Sequence, residues 1–132
     1  MSEKIAIDVR RSQLGRARGA GSGHSGVHHW YAERVSAIAL VPLTVWFVIS
    51  VLRLLGASQP AVAAWAGHPI NAALLLALIA MTFHHMQLGI QVVIEDYVAD
   101  RKRMMMFVLV NKAVALLLGL IAAISVLKLA LT

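Results

Sequence analysis

Three long apolar runs dominate the chain. Residues 35–52 carry no formal charge and predict a first membrane-crossing helix, with Arg53 at its far end. Pro42 falls inside this run, where neighbouring helices can re-satisfy the carbonyl that proline leaves free. Residues 70–94 are uncharged over 25 positions, about 38 Å of helix. That exceeds a ~30 Å hydrocarbon core, so the second helix should tilt or protrude. Residues 104–131 form the third run, broken by Asn111-Lys112 and by Lys128. The two lysines are about 24 Å apart along a helix and can snorkel towards opposite interfaces. The pattern predicts an all-α membrane protein of three transmembrane helices, up-down-up, with spans at about 35–55, 70–94 and 104–131.

Between the first two spans, residues 56–69 hold turn formers and no formal charge, whereas residues 95–103 are short and dense in charge. Nine of the twelve Lys and Arg precede the first span or lie in the second connection. The positive-inside rule therefore puts the N-terminus and the second connection in the cytoplasm, or in an organelle's matrix. Residues 1–26 have no apolar signal core and read as a flexible basic arm before a 27–132 anchor domain. Glu3 and Asp8 count against a mitochondrial transit peptide. A bacterial inner membrane is thus expected ahead of the mitochondrial inner membrane.

Composition agrees with lipid as part of the solvent: 60% of the 132 residues are hydrophobic, 14% are charged, and the mean hydropathy is +0.78. A net charge of +6 raises nucleic acid as a partner, but basic residues flanking apolar runs set orientation instead. With no cysteine, the chain itself can hold neither a disulfide nor a thiolate-ligated zinc or iron–sulfur centre.

The polar residues within or beside the spans are the candidates for chemistry. His84 and His85 lie deep in the second run, and His85 is expected close to mid-bilayer. An ionisable group there is expensive without a partner, which makes function the default hypothesis. Gly89 follows His85 by four residues and Asp96 by eleven, so the three share roughly one helical face. This stripe combines a possible axial ligand, a gap for a planar group, and the polar pair Asp96-Tyr97 at the water boundary. The plainer reading makes Gly89 a packing glycine and Asp96-Tyr97 a helix end. Ahead of the first span, Trp30 and Tyr31 read as interfacial anchors. Arg34 can bind a lipid phosphate or a haem propionate, and composition leaves both open. His24 and His68 fall outside these clusters.

On His85-x3-Gly89-x6-Asp96-Tyr97 and His29-Trp30-x2-Glu33-Arg34, the sequence resembles the D-type membrane-anchor subunit of succinate dehydrogenase, respiratory Complex II. The resemblance covers residues 27–98 with motifs and the third helix by length and hydropathy. The Ser-His-Arg segment of the companion C-type anchor is not seen. The resemblance implies that His85 is an axial ligand of a b-type haem and that Arg34 meets a haem propionate, with His28 or His29 as a weaker helper. Tyr97 would donate to a ubiquinone carbonyl, and Asp96 would organise charge nearby. His84 takes no family role. Because His84 and His85 are consecutive on one helix, they cannot straddle an iron, so a bis-histidine haem needs a ligand from another polypeptide. The resemblance identifies that partner as the C-type cytochrome b anchor, beside an iron–sulfur subunit and a flavoprotein subunit that carry succinate oxidation. The chain would be a non-catalytic anchor of succinate:quinone oxidoreductase. Two rivals stand beside this: a structural or assembly protein whose polar groups serve helix packing, and a proton-relay component using His84, His85 and Asp96.

Overall fold

A computed structural model describes residues 24–131, with side-chain environments for 26–131. The described residues form four helices and no strand: α1 (His24–Arg53), α2 (Gln59–Gly67), α3 (Pro69–Tyr97) and α4 (Arg101–Leu131). Three of these, α1, α3 and α4, are long and apolar enough to cross a membrane. Residues 1–23 of the expected basic arm lie outside the described residues, and its last three positions are already helical.

The helices outrun the apolar runs that predict them. Helix α1 begins eleven residues before the uncharged stretch, and α3 continues through Glu95, Asp96 and Tyr97. Hydropathy marks what must avoid water; backbone hydrogen bonding carries a helix further into the polar boundary. Helix α1 continues through Pro42 and ends at Arg53 rather than at residue 55. Leu54 N–H still bonds Ser50 C=O, and Gly56 then turns the chain at φ +78°. That left-handed conformation costs glycine no steric penalty.

The neutral connection holds a helix that its turn residues do not advertise. Pro60 stands in the first turn of α2, where a missing N–H costs nothing, and Pro69 opens α3 in the same way. His68 lies between them, closing one helix and preceding the next. Trp65 of α2 stacks on Trp46 of α1, with ring centroids 5.8 Å apart. Asn71 Nδ2 donates to Trp65 C=O at 2.8 Å. A Cβ at Gly67 would meet the Ala130 carbonyl oxygen at 3.1 Å, so α2 lies tightly on the end of α4. At the opposite end only residues 98–100 separate α3 from α4. There the Arg103 N–H donates to Asp100 Oδ1 at 2.8 Å, a carboxylate where the positive end of the helix dipole favours it.

Helix α3 is the centre of the fold. It packs against α1 on one side and α4 on the other, while the backbones of α1 and α4 do not approach each other among the described residues. The result is a layer rather than a closed bundle. Asn111 Nδ2 of α4 donates to the Gln87 carbonyl of α3 at 2.8 Å. Phe83 lies 3.5 Å from the position a Gly119 Cβ would take, so glycine leaves room for its ring. Residue numbers thus rise along α4 as they fall along α3. Few of the described side chains are buried: Ala66 on α2, Leu75 and Leu88 on α3, Ala115 on α4, and Ser36 and Ser50 on α1.

The cations bracket an apolar slab. Arg34 and Arg53 are 19 residues apart on α1, about 28 Å, close to the ~30 Å hydrocarbon core. Lys112 and Lys128 are 16 apart on α4, about 24 Å before their side chains extend outwards.

Candidate functional site

The seam between α1 and α3 holds one hydrogen bond between side chains of the two helices. Ser36 Oγ lies 3.0 Å from Nδ1 of His85, and the same oxygen donates to the Glu33 carbonyl at 3.0 Å. Ser36 is only 2% exposed. A serine hydroxyl has one proton, and a carbonyl can only accept. With that proton committed to Glu33, the Ser36 oxygen is an acceptor towards His85, and Nδ1 of His85 carries the ring hydrogen. The neutral imidazole then keeps its lone pair on Nε2. A histidine whose Nδ1–H is anchored in this way has its tautomer and ring orientation set for binding a metal through Nε2.

Helical spacing builds this seam. His29, Ser36, Leu43 and Ser50 recur every seven residues along α1, the repeat that keeps one face turned to a neighbouring helix. On α3, Leu78, His85 and Val92 follow the same repeat. His85 is level with Ser36 and so only two residues from the level of Arg34. It lies nearer the cationic boundary than its place within the run 70–94 suggests, because α1 enters its apolar stretch at that level.

Gly89, one turn from His85, has nothing within 4 Å of where a Cβ would stand. The space beside the ligand candidate is open, as a flat ring system requires. Along α1, the two candidate histidines separate. His28 is exposed, whereas His29 is half-buried and its Nε2 is buried without a hydrogen-bond partner among the described residues. Such an orphaned polar atom is costly unless a group outside the described residues satisfies it. Arg34 is exposed on another face of α1, its guanidinium carbon 5.7 Å from the centre of the Trp30 ring. Cation–π contact holds it there. Asp96 and Tyr97 are both exposed in the last turn of α3, Tyr97 to 85%. They stand about 16–18 Å along the axis from His85 and do not contact it.

Together these groups fit a haem contributed to from one side: a metal-ready imidazole, an open gap one turn away, a buried donor or acceptor in want of a partner, and a nearby cation. No group of three or more metal-ligating side chains converges among the described residues. A haem shared with another polypeptide would ask this chain for a single ligand.

His84 belongs elsewhere. It is displaced about 100° from His85 around α3 and lines a groove against α4 with Gln87 and Lys112. Below it on the same face runs a ladder: Gln87 Nε2 donates to Gln91 Oε1 at 2.9 Å, and Gln91 Nε2 to Glu95 Oε1 at 2.7 Å. Neither Ser36 nor this ladder is among the residues singled out by sequence. Ser36 was traceable as a polar residue in an apolar run, seven positions after His29. The ladder was traceable from its i, i+4 spacing.

Comparison with known proteins gives a consistent picture. The family model described as succinate dehydrogenase/fumarate reductase transmembrane subunit matches residues 8–126. A succinate dehydrogenase hydrophobic membrane anchor subunit from Rickettsia bellii is 35% identical over 92 residues, covering 70% of this chain and 74% of its own. The protein of the same name from Paracoccus denitrificans is 38% identical over 81 residues, covering 61% and 63%. No solved structure matches the chain. With three apolar helices arranged about α3, a family model matched across most of the length and relatives above 30% identity, the chain belongs to the family of succinate dehydrogenase/fumarate reductase transmembrane subunits.

Proposed function

We propose that the chain is the D-type anchor subunit of a succinate:quinone oxidoreductase, holding the flavoprotein and iron–sulfur subunits to a bacterial inner membrane and forming part of a haem b site and a ubiquinone site. The names of its relatives support the anchoring role. The observation that carries the haem site is the Ser36–His85 hydrogen bond, which leaves Nε2 of His85 free to ligate iron. When bound, the haem supplies one-electron redox chemistry, and the protein supplies its orientation and electrostatic setting.

His85 would hold the iron from α3, Gly89 would admit the ring edge, and His29 would meet a propionate through its otherwise unpartnered Nε2. Arg34 would reach the other propionate by leaving Trp30, a contact worth only about 0.5–1 kcal/mol at an exposed site. A second ligand would come from the C-type cytochrome b anchor, since His84 lines a different groove. Tyr97 would donate its phenolic proton to a quinone carbonyl, and Asp96 beside it would set the local charge. The nine cations that precede the first span or open α4 favour a cytoplasmic N-terminus, with the Asp96-Tyr97 end on the same side.

A reduced-minus-oxidised optical spectrum of the purified complex tests the haem assignment. His85→Ala should abolish the b-type signal, and a normal signal would overturn the ligand. Tyr97→Phe should lower quinone reduction at least tenfold while leaving succinate oxidation by artificial acceptors near the parent level. Unchanged quinone reduction would remove Tyr97 from the site.

A further inference from the structure

The face of α3 turned towards α4 carries a second site, separate from the α1–α3 seam. An open groove of about 450 Å³ lies between the two helices. One end is polar: Lys112 from α4, with His84 and Gln87 from α3. Beyond it the lining is apolar, with Phe83 and Ile79 on one wall and Leu116 and Leu120 on the other, as far as Ala123. From Lys112 to Ala123 the groove runs about 16 Å along the axis. That is half of a ~30 Å hydrocarbon core, the depth of a single leaflet.

The charge at its head is uncompensated. The described acids, Glu33, Glu95, Asp96 and Asp100, lie towards the end where α3 passes into α4. Glu95 is engaged by Gln91 and Asp100 caps α4. Lys112 forms no ion pair among the described residues. His84 and Lys112 are exposed, so the head of the groove is open to an incoming group. A cation with hydrogen-bonding neighbours at the lipid boundary, followed by one leaflet's depth of apolar trough, matches an anionic amphiphile.

We propose that the α3–α4 groove binds one anionic phospholipid from the leaflet bordering the α3–α4 connection. Its phosphate rests on Lys112 and His84, and one acyl chain lies along Phe83, Ile79, Leu116 and Leu120. A phosphate oxygen accepts hydrogen bonds from the Lys112 ammonium, a charge-assisted contact, and from a ring N–H of His84. The site gives His84 a role that the haem seam does not, and it stands whether or not that seam holds haem.

The test uses the whole complex in nanodiscs containing phosphatidylglycerol and phosphatidylcholine. In the unaltered complex, a photoactivatable phosphatidylglycerol should cross-link to residues 76–87 and 112–123, and the phosphatidylcholine analogue should do so about fivefold less, the preference expected of one basic residue at the surface. Native mass spectrometry should show Lys112→Ala losing one bound phosphatidylglycerol per subunit, while Lys102→Ala, at the exposed start of α4, keeps it. Equal cross-linking by both lipids, or cross-links only to other segments, would overturn the proposal. So would a neutral prenyl quinone recovered from the groove in place of lipid. Displacement of phosphatidylglycerol by inorganic phosphate would show that the site takes the anion alone, against a lipid occupant. Should Lys112→Ala fail to assemble, the cross-linking pattern of the unaltered complex decides.

Discussion

At the scale of single residues, the site turns on one proton. Ser36 can act as an acceptor for His85 only because the Glu33 carbonyl takes its own hydrogen. Ser36→Ala removes that acceptor and leaves Nδ1–H of His85 buried in an apolar seam. Haem affinity of the complex should fall about 10- to 100-fold, the usual cost of losing a partner that orients a metal ligand. Ser36→Thr, which keeps the hydroxyl, should retain most of it. Titrating haem into complex made under haem limitation checks both, and equal affinity in Ser36→Ala would remove the serine from the site. His85 and Gly89 were legible in the sequence because a four-residue spacing is enough to put them on one face. Ser36 was not singled out, since its importance lies in a contact across 49 residues of chain. The choice between His28 and His29 also needed coordinates: adjacent residues point about 100° apart, and only the position of α3 decides which one is buried.

At the scale of elements, α3 is held to α4 by close packing and one polar clasp. Asn111 reaches the Gln87 carbonyl, whose second lone pair is free after its own helical bond. Asn111→Leu should destabilise the α3–α4 pair by about 0.6–1.7 kcal/mol, from the average to the maximum measured for hydrogen bonds between helices in a membrane protein. A lowered midpoint for unfolding of the complex in mixed detergent micelles would register it. An unchanged midpoint would mean that lipid or water replaces the bond. The first two spans were legible because uncharged stretches of 18 or more residues leave few alternatives to a crossing helix, and the third because only Lys112 and Lys128 bring charge into its apolar run. Helix ends were less so, because hydropathy stops at the lipid boundary and hydrogen bonding does not. Helix α2 was hidden for a related reason. Pro60 and Pro69 read as turn formers, yet each sits at a helix start, where proline is welcome.

At the scale of the whole molecule, the central position of α3 has a consequence for how the protein is made. Since the backbones of α1 and α4 stay apart among the described residues, these helices form an open layer, and both faces of α3 present polar groups along its seams. His29, His84 and Lys112 are tolerable once something outside the chain satisfies them, and until then each is a marker of an unfinished assembly. A newly inserted copy is therefore complete as a set of helices but incomplete as a product, and membrane quality control has exposed charge and open seams to recognise. Expressed without its partners, the chain should be degraded several-fold faster than within the complex, as a pulse-chase of the membrane fraction would show. Equal lifetimes would mean that lipid alone satisfies those groups. The abundance of the complex would then be set by the supply of the other subunits, with surplus anchor removed rather than stored.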